Sequence, residues 1–300
     1  MAQELLSICI PTYNRSHLLR QILGVLGVQI RASKPGDVVI YISNNGSSDE
    51  TQKVIEEFQK QTGLPVVYSR NASNVGISRN LLKVMAMGRG RFIWTLGDDE
   101  LIAPNAITNL LAALRQYDPG FVLMFDTHYK LPLPKPGLYA DYRAVAHACV
   151  QLDNAHALAE HTLLSSNLYR AEFFDAEFGE KNIDTWFPHM FGFLRPLLKK
   201  RMPVLIPDFP VISTRVEDRG VPSDGQWANL DQCWATYLTW LREEMQMPEL
   251  NPHAAGQTAR RLMLANIRAQ PVRYFCKNWR ALFQPSAYRF LFTRFFGVRK

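Results

Sequence analysis

Gly97-Asp98-Asp99-Glu100 puts two adjacent carboxylates directly behind the apolar run RFIWTL of residues 91–96. Side-by-side carboxylates repel unless something positive sits with them. Their oxygens suit hard cations such as Mg2+ or Mn2+, which complete their shell with substrate phosphates and water. An isolated Asp-Asp pair is more often a solvated acidic turn; its place behind the fourth apolar run of the chain favours a site.

Two more stretches carry hydrogen-bonding chemistry behind such runs. IPTYNR offers Thr12, Tyr13 and Asn14 as polar groups and Arg15 as a charge, or simply a capped loop into a helix. YISNNGSSDET places an amide pair, Asn44 and Asn45, at a junction. An amide both donates and accepts, which suits the N3–H and O4 of a uracil or thymine ring. It also suits an Asx-turn. Asn45-Gly46 is a hairpin signal, whereas Ser47-x-x-Glu50 is a capping box that starts a helix. HTLLSSNLYR, residues 161–170, offers Ser165, Ser166 and Asn167, or a core strand with a polar turn.

The elements that position these groups follow from periodicity. Apolar runs at 5–11, 37–43, 64–69, 91–96 and 121–125 read as strands. Between them, residues 17–28, 49–62, 76–87 and 104–117 repeat apolar positions at helical spacing, with Gly63 as a stop and Pro104 in a first turn. Strands alternating with helices imply an α/β fold with a mostly parallel sheet. A helix of a dozen residues after Gly46 makes Asn45-Gly46 a strand-to-helix turn rather than a hairpin, with Ser47 and Glu50 as its cap and Asn45 left to read a base. In such sheets ligands bind beyond the carboxyl ends of the strands, where PTYNR, SNNGS, NVG and GDDE all fall.

From residue 129 the pattern loosens. KLPLPKPG reads as a proline-rich loop, 153–165 as a helix capped by Asp153, 183–200 as a helix reaching Pro196, PVLIPDFPVIS as broken strands and 226–245 as a long helix. We divide the chain into 1–127, 128–250 and a basic helical extension, 251–300.

The chain has 300 residues and a net charge of +7. Ten of its 34 Lys and Arg lie beyond Glu249, where Asp and Glu are absent. This asymmetry points to an anionic surface as the tail's partner. Tyr288, Leu291, Phe292, Phe295 and Phe296 form one aromatic face there, flanked by Arg289, Arg294, Arg299 and Lys300. Such a helix lies in a membrane interface or docks on its own domain. No nucleic-acid motif accompanies the charge. No apolar run is long enough to span a membrane, the start has no secretion-signal pattern, and Cys9, Cys149, Cys233 and Cys276 are too scattered for a zinc or disulfide framework. A cytoplasmic protein, peripheral at the inner face of the cell membrane, is expected.

Taken in order, LLSICIPTYNR, VVIYISNNGSSDET, NASNVGISRN and GRFIWTLGDDE resemble family 2 glycosyltransferases of the GT-A fold, closely over about residues 5–104. The Asn-Asn variant, the GDDE form and IDTWFPHM resemble a subgroup that includes abequosyltransferases and other enzymes of bacterial O-antigen and polysaccharide assembly.

That resemblance implies a GT-A, Rossmann-like sheet and an inverting transfer of a sugar from a UDP- or dTDP-type nucleotide sugar to a glycan acceptor, polyprenyl-diphosphate-linked at the membrane. It implies that Pro11, Thr12, Tyr13, Asn14 and Arg15 line the nucleotide pocket, with Asn44 beside Asn45, which matches the aspartate that contacts uracil. Arg79 becomes a diphosphate contact. Asp98 falls near the ribose or metal, and Asp99 binds Mg2+ or Mn2+. Asp184 becomes the catalytic base, with His189 and Glu180 in reserve; as residues alone they leave a helix cap open for Asp184. Arg215 and Arg219 could close on the diphosphate. A competing expectation is a non-catalytic, membrane-associated module that binds nucleotide sugar or glycan on the same scaffold. A nucleotidyltransferase lacks its Gly-rich, basic phosphate loop here.

Overall fold

A computed structural model describes residues 4–34, 36–125, 132–185, 187–213 and 224–254, with the backbone alone at 160, 213 and 224–231. Arg215, Arg219 and nearly all of the basic extension fall outside the described residues.

The first half is built as the alternation requires. β1 (Leu6–Thr12), α1 (Ser16–Arg31), β2 (Val38–Asn44), α2 (Thr51–Thr62), β3 (Val66–Arg70), α3 (Ile77–Met87) and β4 (Phe92–Thr95) follow in order. A two-residue strand, β5 (Leu101–Ile102), leads to α4 (Ala106–Tyr117) and β6 (Phe121–Leu123). α2 stops at Gly63, which takes the left-handed conformation that lacks a side-chain penalty. The second half adds β7 (Gly137–Tyr139), α5 (Tyr142–Gln151), α6 (His156–Glu160), β8 (Asn167–Arg170), α7 (Ala176–Lys181), α8 (Pro188–Lys200), β9 (Val204–Ile206), β10 (Ile212–Ser213) and α9 (Asp224–Met245).

Eight strands form one sheet in the order β3-β2-β1-β4-β8-β6-β9-β7, and β10 pairs with β5 beside it. β3, β2, β1, β4, β6 and β9 run one way; β8 and β7 run the other. The sheet is thus mostly parallel, as expected, and β2 lies between two parallel neighbours, so no hairpin follows Asn45-Gly46. Period-two alternation divides the core in two. Leu6, Ile8 and Ile10 face α1, α2 and α4, whereas Cys9, Tyr41 and Ile93 face α3, α5, α8 and α9. Both faces are covered, which is what a parallel sheet requires. Among the described residues no helix is long and apolar enough to cross a membrane.

Three expectations for the second half change. The helix expected over 153–165 is cut to the short α6: Asp153 has φ +51° and does not cap it, and Asn154 Oδ1 accepts from the Ala157 N–H at its start. Ser165 and Ser166 lie in a 3-10 turn before β8, and α5 was not expected at all. α8 also runs through Pro196 instead of ending there. Proline lacks the N–H that would bond the carbonyl four residues back, and that carbonyl, Gly192 O, instead accepts from the Asp175 N–H at 2.5 Å. A tertiary donor thus replaces the missing helical one.

Candidate functional site

Parallel pairing brings the carboxyl ends of β1, β2, β3 and β4 to one edge, with Thr12 level with Asn44 and Asn44 level with Arg70. Just beyond β4, the Thr12 hydroxyl donates to Asp98 Oδ2 at 2.7 Å. Arg15 Nη1 bridges the two carboxylates, 3.1 Å from Asp98 Oδ1 and 3.1 Å from Asp99 Oδ2. Asp98 is buried, whereas Asp99 and Arg15 are about half exposed. Burial pushes the Asp98 carboxyl above its ordinary value and the Asp99 charge adds to this, while the Thr12 and Arg15 bonds pull it back. Partial desolvation of Arg15 is outweighed by its two carboxylate partners, so its guanidinium is held more firmly charged than usual. Four of the sequence-predicted residues therefore form one cluster.

The second half of the chain holds the acidic loop in place. Ser165 Oγ accepts from the Gly97 N–H at 3.0 Å and donates to Glu100 Oε1 at 2.9 Å. The Trp94 indole N–H donates to Ser165 O, and the Thr95 hydroxyl to Leu164 O. The core strand with a polar turn, one of the two readings of HTLLSSNLYR, is what forms, and Ser165 in that turn locks the loop.

The first and second junctions are clamped together. Asn14, at φ +50°, donates its N–H to Ser47 Oγ and accepts from the Ser48 N–H at 2.8 Å. Asp49 Oδ2 accepts from the Ser16 N–H that opens α1, while Oδ1 accepts from the Thr51 N–H and hydroxyl that open α2. One carboxylate thus serves two helix N-termini, where a negative charge is favoured. Its partial burial would raise it, but the Thr51 and Ser16 bonds prevail and hold it below the ordinary carboxylate value. The expected capping box does not form: the Ser47 hydroxyl is taken by Asn14, and Glu50 pairs with Lys53.

The amide pair is also committed. Asn44 Oδ1 accepts from the Ser47 N–H, and its Nδ2 donates to the Tyr68 hydroxyl. Asn45 Oδ1 accepts from Asn71 Nδ2 and the Val75 N–H, and its Nδ2 donates to Asn74 Oδ1 and Gly76 O. Those four bonds use every hydrogen-bonding position of the amide, so Asn45 is not free to read a base, contrary to expectation. It ties down the loop 71–76. The network extends through Asn80, Ser43 and Lys83, groups whose part no local sequence signal reveals. Gly46, at φ +77°, seals the contact, because a Cβ there would meet Ser73 C at 2.9 Å.

This geometry also answers why an amide, not a carboxylate, stands at 45. The Val75 N–H can only donate and Gly76 O can only accept, which fixes the amide's orientation. A carboxylate would set an oxygen against Gly76 O at 3.2 Å. Asn45→Asp and Asn45→Ala should each lower unfolding free energy by about 1–3 kcal/mol, the cost of leaving buried partners unmatched. Urea unfolding of the two variants measures it.

The remaining candidates lie apart from the carboxylate cluster. Pro11 is buried at the end of β1 and Tyr13 is exposed beyond it. Arg79 Nε pairs with Glu180 at 3.3 Å. Asp184 is exposed in the turn ahead of α8, without a hydrogen bond or ion pair to the described residues. His189 is buried, its Nε2 3.1 Å from Thr162 O, and burial holds it at about 4, the Thr162 bond working the other way. It is neutral near pH 7 and closed to a substrate. On the same sheet edge, beyond β6 and β9, a cavity of about 420 Å³ opens among Phe125, Pro134, Lys135, Asp208, Phe209 and Pro210.

The cluster's donor set fits a hard cation: carboxylate oxygens only, one of them solvent-facing. Among the described residues no three His, Cys, Asp or Glu side chains form a metal cage. A cation here would thus take its other oxygens from substrate and water, as Mg2+ does beside phosphates.

A sheet with these connections and a polar cluster at its carboxyl edge defines an α/β transferase of the GT-A type. Residues 7–200 match Glycosyl transferase family 2, and the chain belongs to that family. It is 34% identical over 106 residues to abequosyltransferase RfbV of Salmonella typhimurium, covering 35% of this chain and 31% of the relative. It is 27% identical, also over 106 residues, to the GalNAc(5)-diNAcBac-PP-undecaprenol beta-1,3-glucosyltransferase of Campylobacter jejuni, covering 35% and 33%. The chain spans about a third of the length of these curated relatives. Its fold is shared by residues 1–349 of S. aureus TarS, with a TM-score of 0.54 at 12% identity over 80% of this chain and 73% of that one. It is shared too by the mannosyltransferase PcManGT from Pyrobaculum calidifontis in complex with GDP-Man and Mn2+, with a TM-score of 0.54 at 14% identity over 100% and 82%.

Proposed function

We propose that this protein is an inverting, metal-dependent glycosyltransferase of bacterial surface-polysaccharide assembly, using a UDP- or dTDP-type nucleotide sugar and a lipid-linked glycan acceptor. The observation that carries this is the Thr12–Asp98–Arg15–Asp99 cluster at the open sheet edge. The names of the Salmonella and Campylobacter relatives favour a deoxyhexosyl or hexosyl donor and an undecaprenyl-diphosphate-linked acceptor.

In this reading residues 1–127 bind the donor and 128–250 the acceptor. Pro11–Arg15 border the nucleotide, and Asn44 and Asn45 act by holding the loop 71–76 against it; a ring contact to Asn45 would require one of its four bonds to break. Asp99, backed by Asp98, holds Mg2+ or Mn2+, which neutralises charge on the diphosphate. Arg79 serves the diphosphate through its Nη groups while its Nε stays paired with Glu180. The acceptor hydroxyl oxygen attacks the anomeric carbon as the bond to the diphosphate oxygen breaks. The bonding pair leaves with the nucleoside diphosphate, and the hydroxyl proton goes to the Asp184 carboxylate. The cavity beside Phe125 and Phe209 is lined mainly by residues of the acceptor half. The basic extension holds the enzyme at the inner membrane surface.

A thermal-shift panel of nucleotide sugars, with and without Mn2+, tests the donor assignment. A ligand at a hundredfold its dissociation constant adds about 2.7 kcal/mol, so a UDP- or dTDP-sugar should raise the melting temperature by several degrees only with Mn2+. No shift with any donor, and no nucleoside diphosphate release, would leave the binding-module reading.

A further inference from the structure

Among the described residues Asp99 has one partner, Arg15 Nη1, and the same nitrogen also holds Asp98. Asp98 has a second anchor in Thr12. If the guanidinium left, Asp98 would stay in place and Asp99 would lose its one counter-charge among the described residues. The guanidinium meanwhile keeps donors in reserve. Its Nε and Nη2 make no hydrogen bond to the described residues, and half of the side chain faces solvent.

The root of Arg15 is fixed. Asn14 is clamped to Ser47 and Ser48, and the Arg15 carbonyl accepts from the Leu18 and Leu19 N–H groups at the start of α1. Only the side chain has freedom to change partners. A planar fork with unused N–H groups is the geometry that grips phosphate oxygens in pairs.

A divalent cation on Asp99 and a guanidinium on the same carboxylate oxygen repel each other at contact distance. A diphosphate removes the conflict, because it ligates the cation and offers Arg15 an anionic partner.

We infer that Arg15 is a placeholder cation: it neutralises the Asp98–Asp99 pair until a nucleoside diphosphate arrives, then transfers to the phosphates, so that the divalent ion binds with the diphosphate and not ahead of it. This rests on the reading of Asp99 as the metal ligand. Arg15 is a positioning residue for the metal, and its effect is a coupling between two ligands, which is reciprocal.

The test is Mn2+ titration followed by the EPR signal of free ion, with and without UDP or dTDP. In the unaltered protein Mn2+ alone should bind weakly, and the nucleotide should tighten it by about tenfold or more, within the usual range of such coupling. Arg15→Gln should bind Mn2+ alone about tenfold more tightly and lose most of the coupling. Arg15→Lys keeps the charge and should restore the weak nucleotide-free binding. A merely structural role for Arg15 would weaken Mn2+ binding in Arg15→Gln. Unchanged or weaker nucleotide-free binding in Arg15→Gln, with Mn2+ binding abolished in Asp99→Ala, overturns the placeholder alone. Mn2+ binding that survives Asp99→Ala overturns the metal assignment and the placeholder with it.

Discussion

Asp99→Ala should lose essentially all turnover yet melt like the unaltered protein. The expected activity loss follows from the divalent ion that the carboxylate is proposed to hold. Without a ligand for the divalent ion, charge developing on the leaving diphosphate is unopposed, and removing stabilisation of that kind costs about 10²–10³-fold or more in rate. The unchanged melting follows from geometry. Asp99 is about half exposed and pairs, among the described residues, with the half-exposed Arg15, a pair of the sort that contributes about 0–1 kcal/mol. Asp98 is a poorer target: it is buried and bonded to Thr12, so its removal also leaves a buried hydroxyl without its acceptor. Initial rates of nucleoside diphosphate release, compared with a thermal melt of the same sample, separate the two effects. Retained activity in Asp99→Ala, or full activity in excess EDTA, contradicts the assignment.

How far these residues could be read before the fold was known depends on the range of the forces that place them. β1 to β4 and α1 to α4 follow from apolar periodicity, a property of a dozen neighbouring residues at a time, and the parallel sheet follows from their alternation. The carboxylate cluster was legible for the same reason, because the loops that follow parallel strands all emerge at one edge. Reading failed wherever a distant partner decided the outcome. The capping box at Ser47 and Glu50 is sound locally, but Asn14 takes the Ser47 hydroxyl and Asp49 does the capping. Asn45 reads as an open amide until loop 71–76, some 26 to 31 residues away in sequence, fills all four of its positions. Pro196 ought to end α8, and a backbone donor from Asp175 lets it continue. β8, inserted antiparallel between β4 and β6, depends on long-range pairing that periodicity does not encode. The missed α5 is a different case. Asp141 caps it through the Ala144 N–H, and Tyr142, Val145, Ala146 and Cys149 share its buried face, so a local signal was present behind the proline-rich loop.

Asp184→Asn should lower kcat by about 10²–10⁴-fold, the usual share of general base catalysis, and leave donor binding, Mn2+ binding and melting temperature alone. The two other candidates for the base are set aside on physical grounds. His189 is buried, held at about 4 by that burial and bonded to Thr162 O, so no substrate hydroxyl reaches its ring. Glu180 is engaged with Arg79. Asp184 is an exposed carboxylate without a partner among the described residues. Its turn is hydrogen-bonded even so. Asn182 and Thr185 donate backbone N–H groups to Gly179 O and Asn182 O, and the Thr185 hydroxyl adds a bond to Asn182 O at 2.6 Å. A hydrogen-bonded turn holding an unengaged carboxylate is what a base needs and what a helix cap does not, since a cap spends its oxygens on backbone N–H groups. Asparagine keeps the shape and removes the basicity, so the variant isolates proton transfer from packing. Single-turnover rates on bound donor, with Mn2+ affinity measured in parallel, distinguish this loss from that of Asp99→Ala, in which the metal itself is gone. Near-normal turnover in Asp184→Asn would exclude it as the base and move the search to residues outside those described, which include Glu217 and Asp218.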